Sequence, residues 1–495
     1  MPNIFRRSVS LKALKGRWFA VIVFLLVPAL LMLSANSSSA SSLEDYAPSF
    51  EENMVNPKYL QEKPGKKAIG DDSRLELETL VDSALLSHPA LRRSWARVKE
   101  SAATVGQALS SYYPHASTNL FANYNDEGRY HDYELWEENK RMGASLGITY
   151  LLLDNGGREN TARAAEKQLD AANFAYNQAV LDLVFEVQRG YYAYARSLQM
   201  LRAKEEDLRV AEYNRDRAKD FFQAGLSSKS AQLQAKVHVS QVKYQLASIQ
   251  SEVRKNWRNL ASVCGIPVSP RREVEYPDRL DKELVGKGAE ELLKMVEEQN
   301  PRLQSLEARI KSGEHRVKAA ESVFWPELSF VSSATAQKVM ADGRHEASVE
   351  ENEYQAMVGF KVTYDLFTGF SDSYEKRQAR SRVKAVREQY AQRQLELKQR
   401  VEDALNEYKS ALEKLKASKQ YVKDAQSSYK VAVEFFKNGE GSMVEITRAL
   451  EQLANARSER VAARMAMYTA AASLAHSCGA FEKMGAERAE WRSMD

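Results

Sequence analysis

The stretch GASLGITYLLLDNGGR, residues 143–158, carries the deciding pattern. Ala144, Leu146, Ile148, Tyr150 and Leu152 alternate with Gly143, Ser145, Gly147 and Thr149. A period of two gives an extended strand one apolar face and one small, polar face. Asp154-Asn155-Gly156-Gly157 then punctuates the chain, and residues 158–223 follow with no Pro and only Gly190 as a weak point. That run reads as a single helix of about 100 Å at 1.5 Å per residue. The same grammar returns in YQAMVGFKVTYDLFTGF, residues 354–370. There Tyr354, Ala356, Val358, Phe360, Val362, Tyr364 and Leu366 alternate with Gly359, Lys361, Thr363 and Asp365, and the two charges mark the second face as wet.

The recurrence extends to the whole chain. His88-Pro89-Ala90-Leu91 returns as Asn300-Pro301-Arg302-Leu303, and Tyr113-Pro114 returns as Trp325-Pro326 at the same offset. Phe221-Phe222, Gly225, Ser228 and Cys264-Gly265 return, two residues further on, as Phe435-Phe436, Gly439, Ser442 and Cys478-Gly479. Matched landmarks at nearly one offset mean internal duplication. The chain divides into an export segment (1–40), a polar extension (41–74), a first repeat (75–268), a linker (269–286), a second repeat (287–481) and a charged tail (482–495).

Each repeat opens with a helical segment that Pro114 or Pro326 stops. Pro89 sits in its early turns or separates off a short preceding helix. Two strands follow, joined by polar segments at 126–140 and 338–352, and then the long helix. Val180, Val184, Val187, Tyr191, Tyr194, Leu198 and Leu201 recur at coiled-coil spacing, with Leu208 after a skip. In the second repeat the series is Leu397, Val401, Ala404, Tyr408, Ala411, Leu415, Ser418, Val422, Ala425, Tyr429, Ala432 and Phe436. The chain reverses at Ala224-Gly225-Leu226-Ser227 and Asn438-Gly439-Glu440-Gly441, and Gly supplies the left-handed cap. The returning helices, 228–263 and 442–477, have half the length of the outgoing ones. Stacking the opening helix end to end on the returning one makes up the difference and builds a wall of paired helices.

The N-terminus has five basic residues before Phe19–Leu33, an apolar run, with small residues around Ala40. It reads as a cleaved export signal, with an uncleaved anchor as the alternative. Without residues 1–40 the net charge falls from +4 to −1, which offers no electrostatic case for nucleic acid. Past that point no run of about 20 apolar residues remains, so any membrane passage must be a β-barrel. Strands of about 10 residues suit a bilayer. Four of them cannot close around a lumen, but twelve from three chains can. Cys264 and Cys478 are either paired in an oxidising compartment or two buried thiols.

In these features the chain from about 75 to 481 resembles the TolC family of outer-membrane factors. The resemblance rests on the duplication, the Asn/His-Pro-x-Leu start and Pro stop, Leu152–Arg158 and Leu366–Gly369 leaving the strands, and the turns around Gly225 and Gly439. It implies a mixed α+β membrane protein. A homotrimer would form a twelve-stranded barrel in outer-membrane lipid, four strands per chain, continuous with a helical barrel in the periplasm. The implied function is passive export, as the exit duct of a type I secretion or efflux system. The implied partners are a periplasmic adaptor (a membrane fusion protein) and an inner-membrane ABC or RND transporter. Gly225, Leu226, Gly439 and Gly441 fall in the tip region that meets the adaptor. Glu445 matches a lumenal acid of the tip, whereas Arg448 stands where a second acid is expected and Gly441 where a basic residue is. The family's acidic ring is therefore incomplete here. The absence of a Cys at the start of the exported chain, together with the X-Pro start of each repeat, leans towards the secretion branch.

No catalytic, cofactor or metal site is expected. The seven His are scattered, and none falls in a His-Glu-x-x-His pattern. His131 and His345 lie in the polar joining segments, and Gly156-Gly157 reads as a strand-to-helix turn rather than a phosphate cradle. The competing reading is a periplasmic structural coiled coil without a channel, against which the two strand pairs weigh.

Overall fold

The computed structural model describes residues 76–131, 133–266, 274, 288–343 and 349–479. The export segment, the extension, His345, the tail and the linker apart from Val274 lie outside them. In chain order the elements are α1 (Leu77–Ser87), α2 (Pro89–Leu109), β1 (His115–His131), β2 (Tyr133–Leu153), α3 (Gly157–Gln223) and α4 (Lys229–Cys264). The second repeat supplies α5 (Ala289–Gln299), α6 (Pro301–Ser322), β3 (Glu327–Gly343), β4 (Val349–Thr363), α7 (Ser371–Lys437) and α8 (Met443–Cys478).

The strands form one antiparallel sheet in the order β1-β2-β3-β4. Its register aligns the apolar faces of all four. Ile148 stands opposite Ala116 and Ser332, and Ser332 opposite Val358; Tyr150 stands opposite Phe330, and Phe330 opposite Phe360. The other face carries Asn119, Ser145, Thr335 and Gln355 as one cross-strand row. Directly paired residues share a face, so the sheet is apolar on one side and polar on the other, as a barrel wall between lipid and water must be. The strands are longer than the sequence suggests. β1 and β2 have 17 and 21 residues and stay paired through Asp126↔Glu138 and Arg129↔Leu135, within the segment read as a loop. β3 and β4 likewise stay paired from Lys338↔Asn352 to Ala341↔Val349. Polar residues hide such a strand from a reading by alternation, because backbone pairing does not require an apolar face.

α3 and α7 have 67 residues each. α3 packs on α1, α2, α4, α6 and α8, whereas α7 packs on α5, α6 and α8. The seam residues Val180, Val184, Val187, Tyr191, Tyr194, Leu198 and Leu201 are all buried. Along α7, Leu395, Tyr421, Val431 and Phe435 stay exposed. The two repeats are thus interleaved, with α3 inside the helical layer and α7 at its edge.

Pro89 does separate two helices. His88, held extended ahead of the proline, ends α1 and caps α2 through Nδ1, which accepts from Ala90 N–H at 3.3 Å. Asn300 does the same for α6, with its Oδ1 accepting from Arg302 N–H at 3.0 Å. Each kink receives the end of its own repeat. Ser83 and Ser87 Oγ donate to Cys264 C=O at 3.3 and 3.1 Å. Gly479, at φ +70°, lies so close to Asn300 that an added Cβ would stand 3.2 Å from its Cα. The opening and returning helices therefore meet end to end at these kinks. Cys264 and Cys478 are both buried as thiols at these junctions, and burial pushes the Cys264 thiol up to about 12.

One polar node ties the repeats together near the second kink. Asp182 of α3 accepts from Arg302 Nη2 at 2.9 and 3.1 Å and from Gln178 at 2.8 Å, and lies 2.7 Å from His476 Nε2. The Phe185 ring stacks on His476 at 4.6 Å. Burial works to raise the Asp182 carboxyl. The His476 hydrogen bond, the Arg302 charge and the Gln178 hydrogen bond together hold it below the usual aspartate range. A depressed folded value means that this contribution is present above the unfolded pKa and lost as pH falls through the folded one. Asp182→Asn is expected to lower the melting temperature at neutral pH, and the difference from wild type should shrink as pH falls below the usual aspartate range and through the depressed folded value; calorimetry across a series of falling pH values checks this.

The candidate periplasmic tip

The turn after α3 is a complete Schellman motif. Gly225 N–H donates to Phe222 C=O at 3.0 Å and Leu226 N–H to Phe221 C=O at 2.8 Å, with Gly225 at φ +73°. The turn after α7 repeats it: Gly439 N–H donates to Phe436 C=O at 3.2 Å and Glu440 N–H to Phe435 C=O at 2.9 Å, with Gly439 at φ +78°. The positive φ is the reason for glycine at both positions.

The two turns lie side by side. The rings of Phe221 from the first repeat and Phe436 from the second meet edge to face at 5.2 Å. Ala218, Ala235, Met443 and Ile446 form a small core beneath them, with Tyr429 and Phe436 packed against it. Leu226, at 71% exposure, projects from the first turn without covering this core.

Ser442 and Glu445 form a capping box. Ser442 Oγ accepts from Glu445 N–H at 3.3 Å and Glu445 Oε2 accepts from Ser442 N–H at 2.9 Å. The sequence reading placed Glu445 as a lumenal charge and missed this local task, although Ser-x-x-Glu is legible in the chain. Arg448 is exposed one turn further on. Gly441 is closely confined: an added Cβ would stand 3.0 Å from Phe436 N and 3.1 Å from Phe435 Cβ. A side chain at this position would require its neighbours to give by a few tenths of an ångström, and the basic residue that the resemblance leads one to expect is absent.

A groove of about 600 Å³ runs up from the turns between α4 and α8. Leu233, Val237 and His238 line it from α4, and Val444, Thr447 and Arg448 from α8. Leu233 and Val237 are exposed apolar residues that heptad counting along the longer helices does not single out. Their role arises only from the placement of α4 beside α8.

The opposite ends of the long helices join the sheet. Asp154 accepts from Arg158 N–H, and Arg158 donates to Leu151 and Leu152 C=O at 2.6 and 2.9 Å. Asn155 Nδ2 reaches across to Pro326 C=O of the other repeat at 2.8 Å. Asp154–Arg158 is thus a structural strand-to-helix corner.

Ser442→Ala removes one half of the capping box and is expected to cost about 1 kcal/mol at the start of α8. Amide exchange at the first α8 turn should accelerate roughly five-fold, a factor that matches this energy, while exchange at the α4 start, capped by Ser228, stays unchanged.

The sequence profile of the family described as outer membrane efflux protein matches residues 80–266 and 292–480, one match per repeat. Protein CyaE of Bordetella pertussis is 28% identical over 416 residues, covering 82% of this chain and 84% of that protein. The outer membrane protein VceC of Vibrio cholerae superposes with a TM-score of 0.69 at 18% identity, over 81% of this chain and 96% of that one. The Campylobacter jejuni CmeC outer membrane channel superposes with a TM-score of 0.69 at 16% identity, over 82% and 86%. With a two-faced four-stranded sheet running into 67-residue helices that turn back at paired glycine caps, this chain belongs to the outer membrane efflux protein family and is an outer-membrane channel, extending into the periplasm, that forms the exit path of a tripartite efflux or type I secretion system.

Proposed function

We propose that three copies of this chain close the duct, that its tip receives a periplasmic adaptor, and that the pump behind the adaptor is an ABC transporter exporting a polypeptide. The unfinished edges carry this reading. β1 and β4 each have a partner on one side only. Unpaired strand edges are not tolerated in a bilayer, so each β4 must meet the β1 of another copy. Three copies supply twelve strands. The helical layer is unfinished in the same sense, with Tyr421, Val431 and Phe435 bare along α7 and Leu233, Val237 and Tyr244 bare along α4. Pairing α7 of one copy with α4 of the next covers both. On the sheet, Leu120, Tyr354, Phe360 and Val362 are exposed on the apolar face and contact outer-membrane lipid.

At the tip, Gly225-Leu226 and Gly439–Gly441 offer the adaptor two similar turns with one projecting leucine. Glu445 and Arg448 place opposite charges one helical turn apart at the lumen, which makes the entrance less selective for cations than a ring of acids. The family is one of channels, not enzymes, and the duct works by opening its tip. The lean to secretion rests on the X-Pro start of each repeat and on the two cysteines, both buried in helices far along the chain from the export segment.

A photo-crosslinker at Leu226 in living cells tests the assignment. Capture of an adaptor together with an ABC transporter is the expected result. Capture with a proton-driven pump assigns the duct to small-molecule efflux, and capture of neither overturns the tip assignment.

A further inference from the structure

The two strand-to-helix corners are built from matched segments, Leu152–Arg158 in the first repeat and Leu366–Asp372 in the second. They stand at one level of the sheet, since Leu153 and Val362 both pair with Leu328. Each turns through two successive left-handed residues. These are Asn155 at φ +51° and Gly156 at φ +85°, then Gly369 at φ +64° and Phe370 at φ +67°. The second repeat therefore holds a bulky side chain in the backbone conformation for which the first uses glycine.

The side chains of the corners differ as much. The first corner is stitched to itself through Asp154 and Arg158, and the Arg158 guanidinium lies 4.9 Å from the centre of the Tyr112 ring. At the matched positions the second corner has Thr368, which donates to Asp372 at 2.8 Å. Asp372 has no donor to offer the strand carbonyls. Leu366, Phe367 and Phe370 are left 88%, 74% and 64% exposed, with the Phe367 and Phe370 rings edge to face at 5.4 Å. Trp325, just ahead of β3, is exposed at the same end of the sheet. A strained backbone that turns apolar rings outwards gains nothing for the fold of a single chain.

Below the corner, Phe370, Tyr374, Arg377, Ser381 and Lys384 follow one stripe of α7 at helical spacing. The adjacent stripe is neutralised by α6. Lys376 and Arg380 reach Glu321 at 3.0 and 2.9 Å, and Arg387 reaches Glu314 at 2.7 Å. Arg377 instead lies over the Tyr374 ring at 5.3 Å, and among the described residues it forms no ion pair. A guanidinium stacked on a ring keeps its edge donors for a phosphate. Glu375, on the rim of the same shallow depression, suits the hydroxyl or ammonium end of a headgroup. Arg377 is about 10 Å along α7 from Phe370, and each polar layer of a bilayer is about 5–7 Å thick. With the rings at the shallow end of the acyl chains, the guanidinium reaches the phosphates.

We propose that the second corner is a phospholipid site in the periplasmic leaflet of the outer membrane. Leu366, Phe367 and Phe370 lie among the acyl chains, and Arg377, steadied by Tyr374, binds the headgroup phosphate. The site rests on the channel reading and extends the membrane contact from the sheet to the first turns of α7.

Nitroxides at single introduced cysteines in the full-length protein, reconstituted with phosphatidylethanolamine and phosphatidylglycerol, test the apolar part. The readout is accessibility to oxygen, which concentrates in hydrocarbon, and to a nickel chelate, which stays in water. A label at Phe367→Cys should favour oxygen, as should one at Tyr354→Cys on the apolar face of the sheet, while one at Leu226→Cys should favour nickel. A label at position 367 that favours nickel, or that a neighbouring copy shields from both, overturns the proposal. A label at position 354 that favours nickel refutes the channel reading itself. Melting in detergent, with and without added phosphatidylglycerol, tests the headgroup. Phe370→Gly adopts the residue of the first repeat, so without lipid it should melt no lower than wild type, whereas its gain from lipid should fall several-fold. Arg377→Gln should lose most of the gain, and Arg377→Lys should keep part of it. A full gain in Phe370→Gly or Arg377→Gln overturns the site, and so does a Phe370→Gly protein that melts lower without lipid, because the ring then serves the fold.

Discussion

The pairing of β2 with β3 is the contact on which the rest of this structure depends. It joins two repeats that are far apart in sequence and places Ile148 beside Ser332 and Tyr150 beside Phe330. A slip of one residue in that register would set an apolar face beside a polar one. With the register as it is, one side of the sheet suits hydrocarbon and the other suits water. Everything below follows from where the four strand ends deliver their helices. Asn155, bonded to Pro326 C=O, reinforces the same junction at the point where β2 turns into α3.

Duplication does not make the two halves equivalent. α3 is enclosed by helices from both repeats and carries large buried residues such as Tyr176, Tyr191 and Tyr194. α7 leaves apolar side chains bare along its length. The same supersecondary unit, used twice in one chain, thus produces an interior member and an edge member. In a single copy both layers are unfinished, the helices along α7 and the sheet at its two edge strands β1 and β4.

Two charged sites inside the helical layer differ in how they are bonded. The node at Asp182 is well bonded, with short contacts to Arg302, Gln178 and His476, and sits where the repeats are pinned. The layer at Asp207 is loosely paired and sits closer to the turns. Good hydrogen-bond geometry makes a buried charge a fastener, while poor geometry leaves it near the balance between paired and solvated.

Much of this architecture was legible in the chain because its signals are local. Strand alternation at 144–152, the proline stops, the glycine caps at 225 and 439 and the heptads along α3 and α7 depend on residues within a few turns of one another. The turn positions of the candidate tip were readable for the same reason, as was the Ser442–Glu445 box, though its meaning was passed over. Other features were not readable, because they arise between segments distant in sequence. The extension of β1 and β2 through residues taken for a loop depends on paired backbone rather than on side-chain pattern. The contact between Phe221 and Phe436, the groove between α4 and α8, and the sharing of Asp207 between Lys204 and Arg457 exist only once the hairpins lie side by side. The sequence by itself determined the helices, the turns and the alternating parts of the strands and that the design is used twice, since propensity, periodicity and capping act at short range. Only the tertiary structure decided which faces meet and which charges are buried together, since desolvation and ion pairing depend on neighbours that the chain brings together when it folds.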